Sequence, residues 1–235
     1  MIQYGLAAFL LLLQSAPATT SPVESPAMVV AKANRPRIKT NLVLQSNPDP
    51  GFPPAALATG EHGKVTITAI VGVDGHLTEV SVTVSSRSSL LDAAAVAAAT
   101  EARFKPALDA KGAPLSVALT MDVEFSNAQS HSTGGGILSY RCDQFARDND
   151  WWAAHWPANQ HDDFYRLVRG YSTMNQSLDA NGSIDLTRSG SVKDFNTRWQ
   201  GAIEACRKAP DKLFIEIFQP EGKLLGVAAR TWLRP

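Results

Sequence analysis

Hydrophobic and polar residues alternate over residues 63–71, where Val65, Ile67, Ala69 and Val71 are interleaved with Lys64, Thr66, Thr68 and Ile70. This period of two is that of a half-buried strand. Asp74-Gly75 follows, and because glycine tolerates positive φ the pair suits a tight hairpin turn. A second run sets Val80, Val82 and Val84 on one face against Glu79, Ser81 and Thr83 on the other. The pattern then changes: Ser89-Leu90-Leu91-Asp92 has the form of a capping box and opens an alanine-rich stretch. A helix is predicted there, with Ser89 accepting from an early N–H, Asp92 near the positive end of the dipole and the alanines carrying it onward. Pro106 pushes Lys105 out of helical geometry, so the helix should finish at about Arg103 or Phe104. Beyond the Lys111-Gly112-Ala113-Pro114 turn, Leu115, Val117, Leu119, Met121, Val123 and Phe125 alternate with Ser116, Ala118, Thr120, Asp122 and Glu124, predicting a third strand.

A strand-strand-helix-strand order predicts a small α+β domain, a three-stranded antiparallel sheet with a helix on one face. Residues 127–136 are polar and glycine-rich and read as a linker. From there the period lengthens. Leu138, Cys142, Phe145, Trp152 and Trp156 recur at three- and four-residue spacing, as do Phe164, Leu167, Val168 and Tyr171, and then Val192, Phe195, Trp199, Ala202, Ile203 and Cys206. Three amphipathic helices are predicted. Residues 213–218 and 224–233, joined across Pro220-Glu221-Gly222-Lys223, read as a closing β-hairpin, so residues 137–235 are expected to form a second α+β domain.

The first domain carries blocks in a recognisable order: Phe52-Pro53-Pro54-Ala55-Ala56, Glu61-His62-Gly63, Asp74-Gly75, Leu90-Leu91-Asp92, Arg103-Phe104-Lys105-Pro106-Ala107 and Gly112-Ala113-Pro114. Together they resemble the C-terminal domain of TonB, the energy transducer of Gram-negative envelopes, over residues 48–126. Pro53, Pro54, Gly63, Asp74, Gly75, Asp92, Arg103, Phe104 and Pro106 are then its structural motif positions. Residues 137–235 resemble no family. A TonB-like domain implies capture of a short extended segment of an outer-membrane transporter along the third strand.

The residues suggest the same mode independently. An outer strand presents unpaired backbone N–H and C=O groups, and a long stretch without charge is either covered by the chain or used by an added strand. The partner-binding strand is accordingly expected over Leu115, Ser116, Val117, Ala118, Leu119, Thr120 and Met121. The same edge would let two copies pair as a homodimer; the alternative is that residues 137–235 fold over it.

The N-terminus bears on the compartment. An apolar run from Tyr4 to Leu13 is shorter than the roughly 20 residues of a membrane-spanning helix, and Ala16-Pro17-Ala18 has the form of a signal cleavage site. Residues 1–18 therefore read as a signal peptide, although Met1 to Gly5 lacks Lys and Arg; an uncleaved inner-membrane anchor is the alternative. Residues 19–47, with Pro22, Pro26 and Pro36 and the basic residues Lys32, Arg35, Arg37 and Lys39, read as a solvated tether. Cys142 and Cys206, the two cysteines of the chain, are expected to form a disulfide in an oxidising periplasm. With 22 basic and 22 acidic residues the net charge is zero, which disfavours nucleic acid and anionic membranes as partners.

Candidate chemistry concentrates around His155, His161, Asp162, Asp163 and Tyr165. His155, His161 and Asp162 are weak metal candidates: their spacing is not that of ligands one helical turn apart, and Pro157 interrupts it. The plainer reading makes Asp162 or Asp163 a helix cap. Trp151, Trp152 and Trp156 read as core with a half-exposed neighbour. No G-x-S-x-G or phosphate-binding loop occurs. The expectation is a non-enzymatic periplasmic binding protein with no cofactor, linked to TonB-dependent outer-membrane transport. A genuine anchored transducer and an envelope hydrolase or metal site in residues 137–235 are the alternatives.

Overall fold

The computed structural model describes residues 24–126, 136–177, 192–219, 221–222 and 225–226. Its first core is built on a three-stranded antiparallel sheet of order β3-β2-β7, comprising β2 (Gly63–Val71), β3 (Leu77–Val84) and β7 (Val117–Phe125). Val65, Ile67, Ala69 and Val71 are almost wholly buried on one face, as the alternation requires. Against that face lies α3 (Ser89–Glu101), which buries Leu91, Ala95 and Ala99. Those positions are four apart and share one helix face, and alanine there lets the backbones approach closely. The N-cap is Ser88, one residue earlier than the sequence suggests: its hydroxyl accepts from the Leu91 N–H at 3.2 Å. Asp92 instead reaches back to the Ser86 N–H and hydroxyl at 3.0 and 2.8 Å, securing the loop before the helix.

The helix also stops earlier than expected, because Arg103–Lys105 form a strand, β4, that pairs with β1 (Val43–Ser46). Phe104 is buried in the core. Its N–H donates to the Gly75 carbonyl at 2.9 Å, and Gly75, at φ +81°, has room for no side chain: a Cβ would sit 1.8 Å from the Phe104 oxygen. Glycine is thus required both by conformation and by contact. Pro53 caps α2 (Pro54–Thr59), with Pro54 in its first turn.

Two sequence expectations are corrected here. Residues 24–47 are not a free tether. Ser25 caps a helix, α1 (Pro26–Ala33), its hydroxyl accepting from the Met28 N–H at 3.0 Å with Pro26 at the first position. Met28 and Ala31, three apart on one face, pack on Ile70 and Ala118. Those two residues interrupt the otherwise polar outer face of the sheet, and covering them outweighs leaving a short segment free. In addition, the third strand is not continuous: Pro114–Leu115 (β6) pair with Ala107–Leu108 (β5), and the sheet strand begins at Val117.

A second core is helical, from α4 (Cys142–His155), α5 (Asp163–Ser177), α6 (Val192–Lys208) and α7 (Phe214–Ile217). The three predicted helices are all present. Phe145, Phe164, Trp199 and Phe214 stack at its centre with ring centroids 4.6–6.1 Å apart, and the Cys142–Cys206 disulfide joins α4 to α6. The chain as a whole is α+β, but residues 213–218 do not make half of a hairpin. Leu213 forms a single bridge with Arg141. Glu216 then accepts from the Leu213 N–H at 3.2 Å, and the chain turns helical so that Phe214 and Phe218, four apart, both enter the aromatic core. Residues 227–235, like residues 1–18, where a signal peptide is expected, and most of 127–136, where a linker is expected, lie outside the described residues. No helix among the described residues is long and apolar enough to cross a membrane.

Candidate functional site

The sheet has two outer strands, and they differ in regularity. β3 meets β2 with two register shifts and places Glu79 at φ +50°, a bulged edge of the kind that discourages further pairing. β7 pairs with β2 through nine consecutive residues, from Val117 opposite Val71 to Phe125 opposite Gly63, without interruption. Its far side is therefore a straight row of alternate N–H and C=O groups. Val117, Leu119, Met121, Val123 and Phe125 pack on the core that also buries α3, leaving Ala118, Thr120, Asp122 and Glu124 on the outer face.

Of the seven residues expected to bind a partner, Val117, Ala118, Leu119, Thr120 and Met121 lie on this edge. Leu115 does not, since it is buried and paired to Ala107, and the Ser116 carbonyl accepts from the Asn34 side-chain amide at 2.9 Å. Alternation alone cannot register that Pro114–Leu115 belong to a small hairpin of their own. Alongside residues 117–120 runs a groove of about 560 Å³. Ala31, Lys32 and Arg35 form one wall and Ile38, Asn41 and Leu42 the other, so the segment that reads as a tether passes round the start of β7 and flanks its edge.

At the opposite end of β7 the two cores meet around His62, which sequence reasoning did not single out. Its Nε2 lies 3.1 Å from Asp162 Oδ2 and its Nδ1 2.8 Å from the Gly60 carbonyl. The ring sits between Trp151 and Trp152, at centroid distances of 5.4 and 5.3 Å. Burial alone would lower its pKa, but the hydrogen bond and charge of Asp162, the Gly60 carbonyl and the charge of Asp148 outweigh it and leave the pKa raised. Asp148 is itself buried, accepting from the Tyr140 hydroxyl at 2.6 Å and from Arg147 at 3.1 Å. Gly60, at φ +79°, lets α2 end against α4: a Cβ there would be 2.8 Å from Asp148 Oδ1. A buried histidine in Glu-x-Gly followed by carboxylates 86 and 100 residues later carries no local signature.

Beside this junction Glu124, near the end of β7, shares a hydrogen bond with Asp163. Desolvation first, then the charge and hydrogen bond of Asp163, raise the Glu124 pKa, against the opposing pull of Lys64 and Arg166. A group whose pKa is raised on folding adds stability that is complete below its unfolded value and is lost as pH rises through the folded one. For His62 that loss begins above about pH 6.5, and for Glu124 it begins above about pH 4.3; both act in one direction. The two cores are expected to be held together more strongly in mild acid than in alkali. In a series of thermal melts, the gap in melting temperature between the protein and His62→Gln should narrow as pH rises; a gap that widens excludes this role for His62.

The weak metal candidates are pulled apart by other contacts. His155 is exposed, stacked on Trp151 with its Nδ1 2.7 Å from the Trp151 carbonyl. His161 stacks on Tyr165, and Asp162 caps α5, accepting from the Tyr165 N–H at 2.7 Å while it holds His62. Among the described residues no group of three His, Cys, Asp or Glu side chains is placed to hold a metal ion. Trp151, Trp152 and Trp156 stay outside the helical core: the first two flank His62, and the Arg87 guanidinium lies 4.1 Å over the Trp156 ring. A groove of about 450 Å³ opens beside Trp152 and Trp156, bordered by Lys64, Glu124, Tyr165 and Arg169.

Residues 48–126 match the family described as Gram-negative bacterial TonB protein C-terminal. Among solved structures, the solution structure of the Pseudomonas aeruginosa TonB C-terminal domain is similar at 24% identity, over 36% of this chain and 85% of that one, with a TM-score of 0.32. No curated protein matches the chain.

Proposed function

Residues 48–126 being a TonB C-terminal domain, we propose that this protein captures an extended protein segment by adding it as a fourth strand to β7, in the periplasm and without catalysing a reaction. The observation that carries this reading is the unbroken nine-residue register of β7 on β2 with a groove along its open side. In strand addition the backbone hydrogen bonds supply affinity and the flanking pockets supply selectivity. The residues flanking β7 suit that division: polar Thr120 and Asp122 face outward, while Leu119 and Met121 border the core. A disulfide joining α4 to α6 agrees with an oxidising compartment. The proposed partner is the exposed segment of a TonB-dependent outer-membrane receptor; pairing of β7 with a second copy of the chain is the competing occupant.

Neighbouring residues of a strand point their N–H groups to opposite sides. Of Leu119→Pro and Thr120→Pro, one removes a donor to β2 and should lower the melting temperature. The other removes an outward donor and should leave the sheet folded. In the folded variant, binding of synthetic receptor-segment peptides is expected to weaken at least about tenfold, since a hydrogen bond is lost and the ring obstructs the incoming strand. Undiminished binding in that variant would refute strand addition at β7.

A further inference from the structure

We infer that Lys32 and Arg35 select for an acidic side chain on the captured strand, which makes the α1 segment part of the binding site. The inference rests on strand addition at β7 and specifies what the added strand must look like.

The groove beside residues 117–120 has walls of opposite character on opposite faces of the sheet. On the outer face stands α1, which touches Ile70 and Ala118 through Met28 and Ala31 and turns Lys32 toward the groove, with Arg35 just beyond the helix end. On the inner face are Ile38 and Leu42, both packed on the main core beside Leu119. The floor is residues 117–120 of β7, and on the outer face the groove reaches Thr68 of β2. Arg35 is exposed and makes no ion pair among the described residues. Lys32 is paired with Glu24, but both side chains are about half exposed, at 51% and 48%, so solvent and an incoming carboxylate compete readily for that ammonium. No acidic side chain borders this groove.

Side chains of an added strand alternate between the two faces. Those level with Ala118 and Thr120 rise beside Lys32 and Arg35, and those level with Val117 and Leu119 descend beside Ile38 and Leu42. The complementary ligand is therefore an extended segment in which an Asp or Glu is flanked on both sides by apolar, β-branched residues. A helix held over a sheet by two small contacts also places its charges reproducibly. Asn34 fixes the turn after α1 to the start of the edge through the Ser116 carbonyl, and its Oδ1 accepts from Arg37 at 2.8 Å, directing Arg37 away from the groove and leaving Arg35 facing it.

The test uses the whole chain and three fluorescent nine-residue peptides of alternating valine and threonine, which differ at one central threonine position replaced by Asp, Asn or Lys. Fluorescence anisotropy is expected to show the Asp peptide binding about fivefold more tightly than the Asn peptide and the Lys peptide more weakly than either, with the preference shrinking at high salt. In the Lys32→Gln/Arg35→Gln variant, whose changes are on the surface and should leave the melting temperature unaltered, the Asp and Asn peptides should bind equally. Equal binding of the two by the unmodified protein, or a preference that survives in the variant, overturns the role of Lys32 and Arg35 while leaving strand addition in place. If none of the three peptides binds, the edge reading itself fails and the charge selection falls with it.

Discussion

Replacing both cysteines, Cys142→Ala with Cys206→Ala, is expected to lower the stability of the protein by about 4 kcal/mol, a loss that arises in the helical core. The bond closes a loop of 64 residues, and in the chain-entropy account a cross-link of that span removes roughly this much freedom from the unfolded chain. Both sulfurs are fully buried between α4 and α6, so truncation also removes packing where Phe145 and Trp199 already touch. For a core of about 100 residues a loss of this size shifts the melting temperature by roughly 20 °C. Denaturant unfolding followed by tryptophan fluorescence reports on this part of the chain, because its five tryptophans lie in residues 151–232. A shift of less than about 1 kcal/mol, well under the usual range for a native disulfide, would show that the helices hold their arrangement without the bond.

The second large effect is expected from His62→Ala. The imidazole is buried and stands near two carboxylates, Asp162 at 3.1 Å and the more distant Asp148, on elements of the other core. Deleting one member of a buried pair leaves the other charged and desolvated, which typically costs about 3 kcal/mol. The cost falls on the contact between the cores, because neither hydrophobic cluster includes His62. Unfolding of the variant should therefore separate into two transitions where the unmodified protein has one, and proteolysis near residues 127–135 should speed up. His62→Gln, which keeps a polar group of similar reach, should lose less. A single unmoved transition in His62→Ala would mean that Trp151, Trp152 and the close approach of Gly60 to Asp148 suffice to join the cores.

How far the sequence could be read differs from element to element, and the differences have physical causes. Strands β2 and β3 and the turn between them are legible because a half-buried sheet imposes a period of two and a hairpin imposes a glycine. α4, α5 and α6 are legible because an amphipathic helix imposes a period near four. α1 was missed: at eight residues it is too short to be stable alone, and its helix exists because the far side of the sheet offers Ile70 and Ala118. The clue, an isoleucine on a polar face, gains meaning once the sheet is known. α7 is not legible for a related reason. Leu213 to Phe218 form a short apolar run broken only by Glu216, which suits a buried strand as well as a helix, and the aromatic core decides for a helical turn.

For the candidate site the same division holds. By itself the sequence determined the α+β class, the order of strands and helix in residues 63–125, the TonB resemblance of residues 48–126 and the bonded pair of cysteines. These depend on local periodicity, on turn chemistry and on counting. Which edge is regular, what stands beside it and what joins the two cores were decided by tertiary structure alone. The straightness of β7, the placing of Lys32 and Arg35 on its flank, and the meeting of His62 with Asp162 bring together residues from 46 to 100 positions apart, and no short-range pattern records a contact that exists only after the chain has packed.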